Sequence, residues 1–428
     1  MHFEKEYFET ETAIKRVEFE MMAKETTGRP LRVMVLGVGS FSQSVLKILR
    51  EDGAEVHAYL TRDYAHFPPS LEAPTYLQEI YPNPNDLIKE LEIDFVIPMS
   101  IDWHDADWAA ELIENKTPVL SPYGEGMRLE RERDFGRVLS EKYGIRFPQS
   151  HVAQNKLDAQ QILDDHPNAY VIKNPLCSPT SPVHTIICET IGDTRSWLDR
   201  LDYAEGVFLQ EYLGPCEAGH IAFVSGGEIY SLITNQEYKR AFNGNMGIIA
   251  GAPMGGLAEQ DPDDKYGLAR ELLHPLLPWF RETDFHGPVQ VTACKRDDKW
   301  SVVEYNVRLG VTCTPLILGM LENPLKTVHE VVNNRSLNLV FREDRPFACS
   351  MTLAGFGYPY IQVTGPELPV ELTEPLSCDL WWNEVDADNC GDLFMTGHRI
   401  ADVIAFGGNV GQAIARAYDN IKKVRCLS

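Results

Sequence analysis

The segment Val302–Gly310 reads V-V-E-Y-N-V-R-L-G and constrains this chain more than any other stretch. Valine and tyrosine favour extended backbone, and the side chains of a strand alternate between its two faces. Val303, Tyr305 and Val307 are therefore expected on an apolar face that packs into a core. Glu304, Asn306 and Arg308 are expected on the other face. That face offers a carboxylate, an amide oxygen and a guanidinium within two strand repeats. A hard cation such as magnesium takes oxygen ligands and completes its shell with phosphates and water. An arginine two residues further on is placed to steady a phosphoryl group in transfer. On spacing alone a second reading stays open, a half-exposed edge strand with a polar face.

The chain has 428 residues, too many for one hydrophobic core, so two to four domains are expected. No apolar run reaches membrane-spanning length, and Met1 to Arg29 lacks the continuous apolar core of a signal peptide. A cytoplasmic protein without membrane partners is expected. A formal net charge of -24 argues against a nucleic-acid backbone as partner. It leaves room for a phosphate ligand, because a few local cations and backbone amides suffice. Nine cysteines are scattered without C-x-x-C or Cys/His ligand spacing, which reads as reduced thiols and no zinc.

Taken in order, residues 1–30 read as an acidic helical extension. Leu31–Gly37 reads as a buried strand, followed by G-V-G-S, a helix through about Asp52 and a second strand, Glu55–Leu60. This is a βαβ start, but Ser42 stands where a dinucleotide fingerprint wants its third glycine. Asp94–Met99 and Pro118–Ser121 read as further strands and Asp105–Glu114 as a helix. Glu130–Tyr143 is a charged helix carrying Arg131, Arg133 and Arg137, and a solvated face is the plain reading of such a run.

Ala169–Asn174 reads as a strand ending in Lys173, with Val183–Glu189 as its hairpin partner across a Pro-rich loop. A lysine at a strand end beside a loop is within reach of a phosphate; a surface lysine is the alternative. Val207–Leu213 is a strand, and His220–Val224 with Glu228–Leu232 a hairpin. Residues 235–256 form a Gly-rich polar loop holding Lys239 and Arg240, and residues 265–281 an amphipathic helix. Gly287–Cys294 and Trp300–Tyr305 pair antiparallel; helix follows to about Asn333. Phe347–Phe406 is mostly β, and a last helix runs from Asn409 to about Val424.

This order of elements resembles the ATP-grasp superfamily. Within it, three stretches are similar to phosphoribosylamine–glycine ligase. They are Val302–Gly310 (that family's E-F-N-x-R-F-G), Gln236–Arg240 with its Gly-rich continuation (Q-D-H-K-R), and the tail from Thr352 through Thr396–Arg399 to Ala413–Asp419. The resemblance covers most of residues 31–424 and implies an α/β and α+β multidomain chain with the ATP-grasp fold. Its parts would be a Rossmann-like domain at 31–125, an ATP-grasp domain at 126–345 with a small mobile lobe at about 145–206, and a mostly β C-terminal domain at 346–428.

The resemblance further implies that ATP lies between two antiparallel sheets. Gln210, Glu211, Tyr212 and Leu213 would then edge the adenine, and Glu217 would accept from ribose hydroxyls. Lys173 and Arg133 would meet phosphate, with Thr180 and Ser181 supplying hydroxyls from the Pro-rich loop. Glu304 and Asn306 would hold magnesium, or manganese in its place. Arg308, with Lys239 and Arg240, would serve catalysis by stabilising the acyl phosphate and the adduct that follows.

The departures from that family are equally specific. Its G-G-R-E-H segment is here Gly39-Ser40-Phe41-Ser42-Gln43, its P-E pair falls in Ser100-Ile101-Asp102, and its G-D-P-E is Gly310-Val311-Thr312-Cys313. Two acids of the Gly-rich loop become Asn243 and Asn245, and G-P-N-T-G-G becomes Gly247–Ala252. Replacing Asp by Asn removes a charge that would pair with a substrate ammonium. The expected activity is thus an ATP-dependent carboxylate–amine ligase, forming an amide through an acyl phosphate, on small-molecule acids and amines other than the purine-pathway pair. Two alternatives stand beside it: phosphoribosylamine–glycine ligase itself, and an ATP-grasp-like binding protein that has lost catalysis. The sequence leaves a homo-oligomer open.

Overall fold

A computed structural model of the chain describes residues 29–37, 39–61, 67–177, 185–242, 246–250, 252–360 and 367–426. The acidic extension therefore lies, up to residue 28, outside the described residues, as do Thr180, Ser181, Asn243 and Asn245. The chain divides into two compact units. One comprises Met1–Ser121, Ala252–Gln260 and Leu309–Ser428, the other Pro122–Gly251 and Asp261–Arg308.

The first unit opens on a parallel sheet in the order Thr75–Leu77, Glu55–Leu60, Arg32–Gly37, Phe95–Pro98. Apart from Thr75–Leu77, which is half-buried, its strands are almost wholly buried, as expected of parallel strands covered on both faces. Ser42 turns its hydroxyl back onto the Gly39 carbonyl at 2.9 Å. Pro118–Ser121 is not a strand; it contributes one parallel bridge, Val96 to Val119. The helix expected at Asp105–Glu114 is shorter, Ala109–Glu114, after a 3-10 turn at Ile101–Asp105.

The same unit holds an antiparallel run, Gly255–Gln260, Phe347–Ala354, Arg399–Gly407, Asp379–Trp382. Ala413 and Ala417 of the helix Val410–Ile421 pack on it against Cys349, Val403 and Ala405. That helix ends before Val424; Val424–Cys426 turns into a strand paired with Leu368–Leu372.

Among the described residues the second unit contains two larger antiparallel sheets and a two-stranded ribbon. The smaller of the two sheets has the order Ser150–Ala153, Val207–Glu211, Tyr170–Lys173, Ile186–Ile187. The helices Lys156–Asp165 and Ile191–Leu198 supply Ala159, Leu163 and Leu198 to a core with Tyr170, Ile172, Val207 and Leu209. The other runs Lys299–Asn306, Gly287–Arg296, Glu217–Ser225, Glu228–Glu237.

Three expectations for this unit need correction. The charged helix Glu130–Tyr143 is two helices, Glu125–Arg131 and Arg133–Lys142, broken at Glu132, whose backbone is extended. The break pairs with the segment after Lys173: Cys177 N–H donates to Arg131 O at 2.7 Å and Arg133 N–H to Pro175 O at 3.1 Å. The Gly-rich loop is largely strand, since Glu228–Glu237 runs on into it and Arg240–Phe242 pairs with Met246–Ile249 as a ribbon. The helix at 265–281 is three short pieces, Leu268–Leu272, His274–Leu276 and Leu277–Glu282. Pro275 and Pro278 explain this, because each lacks an N–H and crowds the preceding turn.

Candidate functional site

The strand Lys299–Asn306 contains a β-bulge. Opposite Gly287–Arg296, Thr292 pairs with Glu304 and Ala293 with Val302, so Val303 is passed over. A bulge bends its strand and turns the extra residue out of the ladder. This corrects the expected faces. Val302, Tyr305 and Val307 are buried, whereas Val303 is only half-buried and its carbonyl leaves the ladder register. That carbonyl accepts from Gln210 Nε2 at 2.9 Å and from Lys173 Nζ at 3.4 Å. Gln210 and Lys173 stand on strands of the smaller sheet, so one displaced peptide ties the two sheets of this unit together.

Around the bulge three cations converge on Glu304. Lys239 Nζ lies 3.3 Å from its carboxylate, Lys173 Nζ 3.6 Å and an Arg133 Nη1 3.7 Å. Burial alone would raise the Glu304 carboxyl, but Lys239, Lys173 and Arg133 together hold it far below the usual carboxylate range. Burial pushes the Lys173 ammonium down to about 8, against the pull of Glu304. Lys239 is opposite in sense. Burial disfavours its charge, yet Glu304, Glu217 at 3.5 Å and Glu237 at 3.8 Å raise it above the ordinary lysine value. Lys239 is therefore a fixed positive charge, and Lys173 a cation whose charge is marginal.

The break between the two helices positions Arg133. As the first residue of the second helix it donates from Nε to Asn174 O at 2.9 Å. Asn174 Nδ2 in turn donates to Glu205. Arg308 pairs through Nε with Glu130 at 3.2 Å, and Glu130 also accepts from Val307 N–H at 2.6 Å.

The structure thus brings together Arg133, Lys173, Gln210, Glu217, Lys239 and Glu304. By alternation Asn306 shares a strand face with Glu304, opposite Gln290. Arg240 stands apart from Glu304 contacts and pairs with Glu189 at 2.9 Å. Glu211 pairs with Arg296 at 2.9 Å, and its N–H bonds Gln149 O. Tyr212 N–H bonds Ala169 O, while Leu213, past the strand's end, has no backbone partner among the described residues. Sequence reasoning missed Glu130, Glu237 and the Val303 carbonyl. Glu130 lies three residues after Met127 on the helix Glu125–Arg131 and both are buried, but its charged neighbours masked that spacing in the sequence.

The residues present fit a magnesium–nucleotide group. One carboxylate and one amide oxygen on a shared face suit a hard cation that keeps phosphate oxygens as its other ligands. Arg133 and the buried Lys173 share a single carboxylate, so a polyphosphate would give both a partner.

Residues 131–313 match the family model described as phosphoribosylglycinamide synthetase, ATP-grasp (A) domain. Over 320 residues the chain is 24% identical to the phosphoribosylamine–glycine ligase of Neisseria meningitidis, covering 72% of this chain and 75% of that one. Among solved structures it is similar to the phosphoribosylamine–glycine ligase of Thermotoga maritima, with a TM-score of 0.75, 22% identity, and coverage of 93% of this chain and 98% of the other. It also matches the biotin carboxylase domain of Hydrogenobacter thermophilus 2-oxoglutarate carboxylase, solved with MgADP and bicarbonate. There the TM-score is 0.67 at 11% identity, over 92% of this chain and 90% of that one.

Proposed function

We propose that this chain, whose residues 131–313 match the ATP-grasp domain model, is an ATP-dependent carboxylate–amine ligase. It forms an amide bond through an acyl phosphate, on substrates other than glycine and phosphoribosylamine. The observation that carries the reading is the convergence of Arg133, Lys173 and Lys239 on Glu304. Such a cluster stabilises charge on a phosphoryl group without reorganising when that charge develops.

In this reading Glu304 and Asn306 would hold magnesium, which when bound would neutralise phosphate charge. Lys173 and Arg133 bind phosphate oxygens, their spacing set by the Val303 and Asn174 carbonyls they donate to. Lys239, whose charge its carboxylate neighbours favour, contributes positive charge at the phosphate site. Arg308 faces the transferring group. Leu213, with a free N–H, edges the adenine beside Glu211 and Tyr212, and Glu217 exchanges Lys239 for ribose hydroxyls. Thr180 and Ser181 add hydroxyls to the phosphate site. Arg240 anchors the ribbon through Glu189 and so holds Lys239 in place.

The test is ADP release from ATP with a panel of carboxylic acids and amines. An acid–amine pair raises turnover well above background, and glycine with phosphoribosylamine does not. The names of the relatives favour a second reading, phosphoribosylamine–glycine ligase. Complementation of a purine-requiring strain lacking that ligase would establish it and overturn the first.

A further inference from the structure

Glu130 sits at the end of the helix Glu125–Arg131, in a run of charge that reads as solvated, yet only 1% of its side chain is exposed. A buried carboxylate is costly unless it is paired and hydrogen-bonded. Glu130 is both. One oxygen lies 3.2 Å from Arg308 Nε and the other accepts from Val307 N–H at 2.6 Å. Burial raises this carboxyl while Arg308 holds it down, and Glu130 in turn raises Arg308. Nε is the guanidinium atom nearest the carboxylate, and the contact is an ion pair without a hydrogen bond, since Glu130 Oε1 has no hydrogen-bond partner among the described residues. Arg308 makes no other ion pair or hydrogen bond among the described residues, which leaves Nη1 and Nη2 for a ligand.

We propose that Glu130 is a positioning residue for Arg308: one buried carboxylate fixes both the guanidinium and the peptide before it, so that Nη1 and Nη2 face the phosphoryl group in transfer. The inference rests on the ligase reading. It goes beyond that reading in assigning to a helix residue remote in sequence the orientation of the arginine. A purely structural ion pair would stabilise the fold and leave recognition of the transferring group unchanged.

Calorimetry with magnesium and ADP, with and without aluminium fluoride as mimic of the transferring phosphoryl group, separates the two. Wild type is expected to bind ADP more tightly when aluminium fluoride is present. Glu130→Gln keeps an acceptor for Val307 N–H but removes the charge. It should lose about tenfold or more of that tightening, with affinity for ADP alone unchanged. Arg308→Ala should lose the same increment, and the double variant no more than Arg308→Ala. Full wild-type tightening in Glu130→Gln, or losses that simply add in the double variant, would overturn the assignment. Should Glu130→Gln fail to fold, Glu130→Asp keeps the charge one methylene short. It should fold and lose part of the tightening; full tightening there would count against the proposal. If wild type binds ADP but aluminium fluoride adds nothing, the assignment fails while nucleotide binding stands. If wild type binds no ADP, the ligase reading itself fails.

Discussion

Lys173 places its ammonium 3.6 Å from the Glu304 carboxylate with only 3% of its side chain exposed. Burial brings its pKa from 10.5 to about 8, Arg133 and Lys239 adding to the fall and Glu304 and Glu217 opposing it. Between those values the folded chain binds fewer protons than the unfolded one, so this group makes stability rise as pH climbs through the window. A bound polyphosphate would restore the proton. Binding of ADP with magnesium somewhat above pH 8 should therefore take up protons, read as a dependence of binding heat on the ionisation enthalpy of the buffer. Lys173→Met should abolish the uptake, and unchanged uptake in that variant would contradict this role.

Glu304 is the shared partner of three cations. Removing one partner of a buried ion cluster leaves the others uncompensated and costs about 3 kcal/mol. The Glu304 side chain is 25% exposed, so a somewhat smaller loss is expected for Glu304→Ala in denaturant unfolding. Glu304→Gln should retain the fold yet lose the dependence of nucleotide affinity on magnesium. Wild-type magnesium dependence in that variant would remove Glu304 from the metal site.

Gly219, on the strand Glu217–Ser225, faces Asn235 across one ladder and Thr292 across the other. A Cβ there would collide with the Asn235 side-chain oxygen and come within 3.1 Å of Gln290 Nε2. Gly219→Ala should destabilise by about 1–3 kcal/mol, and adding Asn235→Ala should recover part of that loss. Thermal unfolding of the two variants gives the comparison; a Gly219→Ala protein as stable as wild type would show that the neighbours yield freely.

What was legible in the sequence follows physical lines. The polar face of Glu304 and Asn306 could be read because alternation is enforced by backbone geometry. The bulge at Val303 could not, because an extra residue in a ladder leaves no compositional mark. Yet it is this bulge that turns a carbonyl toward Lys173 and Gln210. The break at Glu132 carries neither proline nor glycine and is set by pairing with residues 175–177, a contact distant in sequence. Pro275 and Pro278 were visible breakers within a pattern whose apolar spacing still suggested one helix. The Gly-rich stretch read as loop because its glycines suggest turns, whereas Phe242, paired with Met246, belongs to a ribbon. Glu130 was hidden by its charged neighbours, since partial burial of a helix face is decided by what packs there.

ATP turnover in the presence of magnesium and a panel of acids and amines, compared between wild type and Glu304→Ala, tests the central claim most directly. ADP and phosphate released by wild type only when an acid and an amine are both supplied, and lost by at least about a hundredfold in Glu304→Ala, is the predicted result. Turnover that persists in Glu304→Ala, or wild-type protein that neither binds ATP nor responds to any pair, would contradict it.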